Sequence, residues 1–321
     1  MAEEDKATED KAETADKADD PTAPHRLFCF GMGYSALVLA RRLRDEGWVV
    51  AGTCRREEKR RELTDEGFEM FLFNRDQPLE APETAFQGIT HVLSSVPPDT
   101  GEPVLDHHRD HLLKLDALQW IGYLSTTGVY GDTGGATVDE SNQLNPMTER
   151  ARRRILAEKR WLALRHQNGL PVHIFRLAGI YGPHRSVLDR VKNGTAQRIY
   201  KPGHKFSRIH VEDIATVLQA SMAKPRGGAV YNVCDSQPAT PAQVTAYACK
   251  LMGMKLPPLV LFKEAEKNMT DMAKSFWRDN RKVDNSRLKF ELGVNLDYPN
   301  YKKGLEAVME AEKADANASE K

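Results

Sequence analysis

The chain has 321 residues, 40% of them hydrophobic, which is enough for one large α/β domain or two smaller ones and too apolar for wholesale disorder. Lys+Arg and Asp+Glu balance at 46 each, but residues 1–20 hold nine acids and three lysines, which leaves +6 on the remainder. No run approaches the ~18 apolar residues of a membrane span, and Cys29, Cys54, Cys234 and Cys249 are scattered without a CxxC pair, which excludes a disulfide or metal framework.

The opening "MAEEDKATEDKAETADKADD" has no apolar periodicity and cannot bury enough surface to offset its chain entropy, so residues 1–24 are expected to be a disordered acidic tail. It lacks the apolar core of a signal peptide and is too acidic for a transit peptide. A cytoplasmic protein with free thiols and no membrane partner is expected.

From His25 the pattern changes. "RLFCFGMGYSALVLARRLRDEGWVVAGTC" is an apolar run, a glycine turn, a helix-period segment, Gly47 and a second apolar run, which is a βαβ unit. "FEMFLFN", "ITHVLSSV" and "LQWIGYLST" are the third to fifth strands, the last preceded by a helix from about Val104 to Leu118. "NPMTERARRRILAEKRW" reads as a helix and "PVHIFRLAGIYG" as a sixth strand. "AVYNVCD" is one more strand, and "TPAQVTAYACKLMG" is a helix with Thr240 as N-cap and Gly253 at its end. Strands alternating with helices imply an α/β fold, a Rossmann-like doubly wound parallel sheet. The less regular "KPGHKF", "KPRGG" and "LPPLVLF" suit a smaller C-terminal lobe.

The turn "FGMGYSA" gives Gly31, Gly33 and Ala36, a GxGxxA pattern between a strand and a helix. Gly31 allows the tight turn, Gly33 lets backbone N–H groups approach a pyrophosphate, and Ala36 lets helix and strand pack closely. Tyr34 and Ser35 share that helix start. At the end of the second strand an NAD site has an acid for the ribose 2′-OH, whereas here stand Arg55 and Arg56. Arginines suit a 2′-phosphate, so NADP is expected, with NAD as second choice.

With "YLSTTGVYGD", "RLAGIYGP", "FSRIHVEDIA", "YNVCDSQPATPAQV" and "VDNSRLKFELG" in this order, residues of about 26–310 resemble the extended short-chain dehydrogenase/reductases, the NAD(P)-dependent epimerase/dehydratase family. "SSVPPDTGEPVL" and the arginine-rich helix look closest to its atypical YeeZ-like branch. The resemblance implies an NAD(P)-binding domain over 25–183, to which about 206–250 returns. A substrate lobe follows mainly over 184–311, with a flexible tail over 312–321. It places Thr126 at the family's catalytic Ser/Thr, with Ser125 beside it, and the Tyr-x-x-x-Lys pair on Arg150 and Arg154. It also places Asp76 near adenine, Ser95 at the fourth strand's end, Gly179 and Ile180 in the cofactor segment, and His184 and Arg185 as substrate contacts; Arg208 lies in a segment that packs the lobes together, and its guanidinium is expected to reach a substrate phosphate.

Arginine has a pKa above about 12 and does not surrender a proton. Arg150 and Arg154, one turn apart on one helix face, replace a base with fixed charge and a bidentate donor fork. They could clamp an anion, or pair with Glu149 and Glu158. Three readings follow. One is hydride transfer on a small anionic, nucleotide-sugar-like substrate, with Thr126, Tyr130 or Tyr181 handling the proton. Another is a redox-silent NADP(H)-binding regulator. The last is a nucleic-acid patch, disfavoured because no aromatic platform accompanies the charges. His107 and His111 stand at metal-ligand spacing without a third ligand, so no metal is expected. In the family the arginine-bearing helix also forms homodimers.

Overall fold

The computed structural model describes residues 25–319, and the expected acidic tail over 1–24 lies outside them. Seven strands form one parallel sheet: β1 (Arg26–Phe30), β2 (Val49–Cys54), β3 (Glu69–Leu72), β4 (His91–Ser94), β5 (Trp120–Thr126), β6 (Val172–Leu177) and β7 (Val230–Val233). Their order is β7-β6-β5-β4-β1-β2-β3. The order reverses between β1 and β4, and the crevice beyond the carboxyl ends at such a switch point is where open α/β sheets bind ligands.

The strands read as unbroken apolar runs because helices cover both faces. Along β1, Leu27 and Cys29 join one core cluster with Leu39, Leu93 and Leu218. Phe28 and Phe30 join the other with Phe86, Tyr123 and Trp161. The helix Tyr34–Asp45 packs against Val211–Ala223, where Arg42 reaches Glu212 at 2.5 Å and Thr216 at 2.9 Å.

A smaller cluster of Tyr181, Leu188, Val244, Ala248, Tyr301 and Leu305 forms the second lobe. Short parallel pairs, Gly179–Tyr181 with Arg208–His210 and Arg198–Tyr200 with Leu259–Leu261, frame it. Within the stretch 206–250, Ile209 to Cys234 contribute to the core cluster of Leu27 and Cys29, and Ala239 to Cys249 to the cluster of Tyr181 and Leu305. Residues 312–319, expected as a flexible tail, continue the helix Tyr301–Ser319. The helix before β5 ends at Leu112, six residues short of the expected Leu118. The helix Pro241–Leu251 is capped as expected, with Thr240 and Gln243 forming a reciprocal capping box.

Burial sets a pH dependence. Desolvation holds the buried His91, His108, His173, His204 and His210 neutral, each pushed down to about 4. In the unfolded chain they bind protons below about 6.5. The unfolded state therefore holds more protons at these sites between about pH 6.5 and 4, and stability falls as pH drops through that window. Burial also raises Glu102 and Asp235 to about 7 and Asp213 to about 6. These three act in the opposite sense, favouring the folded state as pH falls from 7 towards 4, but five histidines outweigh them. Thermal melts should show Tm falling between pH 6.5 and 4.5; a flat or rising profile would refute the balance.

Candidate active site

The phosphate turn is built as the sequence requires. Gly31 has φ +79°, and a Cβ there would lie 2.9 Å from Ser95 Oγ. Its N–H donates to Thr53 Oγ1 at 2.8 Å, and Ser95 Oγ donates to its carbonyl. Ser95 thus fixes the turn from the end of β4. Gly33, the N-cap residue, has no side-chain cap, and a Cβ there would meet nothing within 4 Å. The N–H groups of Tyr34, Ser35 and Ala36 have no acceptor among the described residues, and all three residues line the cleft. Free N–H groups, the positive end of a helix dipole and open space fit a diphosphate.

At the end of β2, Arg55 and Arg56 are exposed and have no carboxylate partner among the described residues. The following acid, Glu57, is occupied by Arg60 at 2.7 Å and Arg61 at 3.0 Å, and these neighbours hold its carboxyl down at about 2. Asp76 is exposed beyond β3, its N–H in an Asx turn with Asn74 Oδ1 at 2.9 Å. Arg75 beside it is held by Asp99 and Asp106.

The end of β5 carries adjacent hydroxyls at Ser125 and Thr126, and both residues line the cleft. Thr126 faces the cleft, and its Oγ1 accepts from Gly128 N at 3.1 Å. Ser125, expected to touch cofactor, also lines the cleft, and its hydroxyl donates to Glu158 on the helix Glu149–Asn168. Glu158 also accepts from Arg176 of β6 at 2.9 Å, an ion pair with side-chain exposures of 2% and 6%. Arg176 donates to Tyr130 Oη at 2.9 Å, and Tyr130 donates to Asn232 Oδ1 at 2.7 Å. Tyr130 was expected as a proton-handling hydroxyl. It is fully buried, committed to both partners and absent from the cleft wall.

The two arginines of that helix divide. Thr148 caps the helix by accepting from Ala151 N at 3.1 Å, so Arg150 falls in its first turn and Arg154 one turn deeper. Arg154 is buried, with Nη1 donating to Leu124 O at 2.8 Å and Tyr123 Oη at 3.0 Å. Arg150 is exposed at the mouth, without a partner among the described residues. Neither arginine pairs with Glu149 or Glu158. Glu149 pairs with Arg153 at 3.1 Å, and Arg160 reaches Asp106 at 2.5 Å.

Gly179 and Ile180 line the opposite wall. Arg208 pairs in register with Gly179, and its Nη1 donates to Phe206 O at 2.9 Å and Ala239 O at 3.0 Å. His184 and Arg185 are exposed at the rim. His184, Asp189 and Glu312 approach one another, yet Glu312 accepts from His184 N at 3.1 Å and Asp189 from Ser186 N at 2.7 Å. His107, the other metal candidate, bonds Arg75 O at 2.8 Å. Sequence reasoning missed Arg190, Lys205 and Arg281, which share the wall although no motif marks them. The cleft holds about 1170 Å³, and its lining includes seven Arg or Lys side chains against two carboxylates.

A model of the NAD dependent epimerase/dehydratase family matches residues 31–234. Over 281 residues the chain is 27% identical to Protein YeeZ of Escherichia coli (strain K12), covering 84% of this chain and 94% of that one. A solved structure of a functionally unknown conserved protein from Silicibacter pomeroyi DSS is 48% identical, with TM-score 0.82 over 89% of this chain and 99% of that chain. The fold also matches UDP-glucuronic acid 4-epimerase from Bacillus cereus in complex with NAD. There the TM-score is 0.69 at 16% identity, over 88% of this chain and 94% of that one. No helix among the described residues is long and apolar enough to cross a membrane. With the glycine turn at the switch point and the family match running from that turn to the end of β7, the chain belongs to the NAD dependent epimerase/dehydratase family.

Proposed function

We propose that the chain is an NAD(P)-dependent oxidoreductase of the epimerase/dehydratase type, transferring hydride on a small, anionic, nucleotide-sugar-like substrate and preferring NADP. The observation that carries this reading is one continuous cleft joining the phosphate turn, Thr126 and the two arginines under a strong excess of positive charge. The N–H groups of Tyr34 to Ala36 hold the diphosphate, and Arg55 and Arg56 take the 2′-phosphate. The nicotinamide, when bound, supplies or accepts hydride. Thr126 orients the substrate oxygen, Arg154 sets a fixed positive charge beneath it, and Arg150 guards the mouth.

The proton takes a different route from the family's tyrosine. Burial pushes the cleft phenols Tyr34, Tyr181 and Tyr301 upward, Tyr34 to about 12, so none serves as a base near neutral pH. Thr126 relays the proton without becoming a base: its Oγ1 accepts the substrate's proton as its own hydroxyl proton passes to a solvent water. The same absence of a base favours the second reading, a redox-silent NADP(H)-binding regulator. Incubating the protein with 4-deuterated NADPH and a pool of nucleotide-sugar ketones separates them. Deuterium in a product supports the oxidoreductase, and binding without transfer supports the regulator.

The NADP preference has its own test. Arg55→Ser/Arg56→Ser should weaken NADPH by about tenfold, the loss of charge-assisted bonds to one phosphate, and leave NADH unchanged. Equal weakening of both would sink the 2′-phosphate assignment. We place the protein in the cytoplasm, consistent with four buried free cysteines. A homodimer through the arginine helix would cover Leu156, which is 60% exposed there.

A further inference from the structure

Tyr34 leaves the first residue of its helix and crosses to the segment that opens the second lobe. Its Oη donates to Pro183 O at 2.9 Å. Gly182 faces it so closely that a Cβ there would lie 2.4 Å from Oη. Gly182 and Arg185 exchange backbone hydrogen bonds, Arg185 N to Gly182 O at 3.1 Å and Gly182 N to Arg185 O at 3.4 Å. That tight turn, with His184 at φ +58°, returns the chain over the tyrosine. The Arg185 guanidinium then lies above the Tyr34 ring, 5.3 Å from its centroid.

The charge of Arg185 is unspent. It has no carboxylate partner among the described residues, because Asp189 caps Ser186 and Glu312 bonds His184 N. The ring beneath it begins at the residue whose N–H is the first free donor of the phosphate cradle. Stacking on a tyrosine restricts the guanidinium before any ligand arrives, and its fork matches a phosphate bidentately.

We propose that Arg185 is a cofactor residue rather than a substrate residue. It closes over the pyrophosphate from the second lobe while the Tyr34–Ala36 N–H groups hold it from the first. This rests on the dinucleotide reading above.

The test compares full-length wild type, Arg185→Met and Arg185→Lys by calorimetric titration with NADPH and with adenosine 2′-phosphate, which lacks the pyrophosphate. For Arg185→Met, NADPH should weaken by about tenfold with a shallower salt dependence, and adenosine 2′-phosphate should bind as to wild type. Arg185→Lys should fall between. An exposed rim residue leaves Tm unchanged. Unaltered NADPH affinity in Arg185→Met overturns the proposal and leaves the dinucleotide site standing. Parallel loss for both ligands also overturns it, since the effect would then not be on the pyrophosphate. If wild type itself binds neither NADPH nor NADH, the dinucleotide reading fails first.

Discussion

Arg176→Met should destabilise the protein by about 3–5 kcal/mol, because it strands a buried carboxylate. Glu158 is enclosed and, among the described residues, receives hydrogen bonds from Arg176 and Ser125 alone. Removing the guanidinium leaves a charge facing one hydroxyl, and it also removes the donor to Tyr130. Urea unfolding should show the midpoint falling at constant slope. The double variant Arg176→Met/Glu158→Met should recover much of the loss, since apolar residues of similar size remove both charges at once. A single variant within about 1 kcal/mol of wild type would place this pair with ordinary surface bridges.

The pair also explains what the arginine helix is fastened to. Glu158 ties the helix to β5 through Ser125 and to β6 through Arg176. Tyr130 and Asn232 extend the chain of bonds to β7. Arg154 sits one turn before Glu158 on that helix, and its position over Leu124 O follows from the same attachment. The single variant should therefore lower activity beyond its effect on the folded fraction, by loosening Arg154 relative to Thr126.

The parts of this site that were legible in the sequence are those whose geometry is local. The turn Gly31–Ala36 lies inside one βαβ unit, so spacing alone determined its form. The helix that carries Arg150 and Arg154 one turn apart is likewise read from its own local segment, 145–161. The misread residues depend on distant partners. Whether Tyr130 faces cleft or core is decided by Arg176, 46 positions on, and Asn232, 102 positions on. Ser125 and Thr126 are adjacent hydroxyls that both line the cleft, and only the position of Glu158, 33 residues later, tells that Ser125 also holds the helix. The partner of Glu158 went unread for the same reason: helical spacing offered Arg154, but Glu158 bonds Arg176 on β6, whereas Glu149 finds Arg153 locally, four residues on.

Gly33→Ala should abolish dinucleotide binding without disturbing the fold. An added methyl at Gly33 meets no protein atom within 4 Å, and its φ of −93° is accessible to alanine, so Tm should hold. The open space it enters is the approach to the Tyr34–Ala36 N–H groups. Keeping a pyrophosphate from two such donors forfeits about 1.5–3 kcal/mol each, which is on the order of a hundredfold or more in Kd. Gly31→Ala makes the contrast. It forces alanine into φ +79° and against Ser95 Oγ at 2.9 Å, so it should lower Tm as well as binding. Titration with NADPH alongside thermal melts reads both quantities. A Gly33→Ala protein that melts normally and binds NADPH like wild type would mean that the helix start is not where the diphosphate lies.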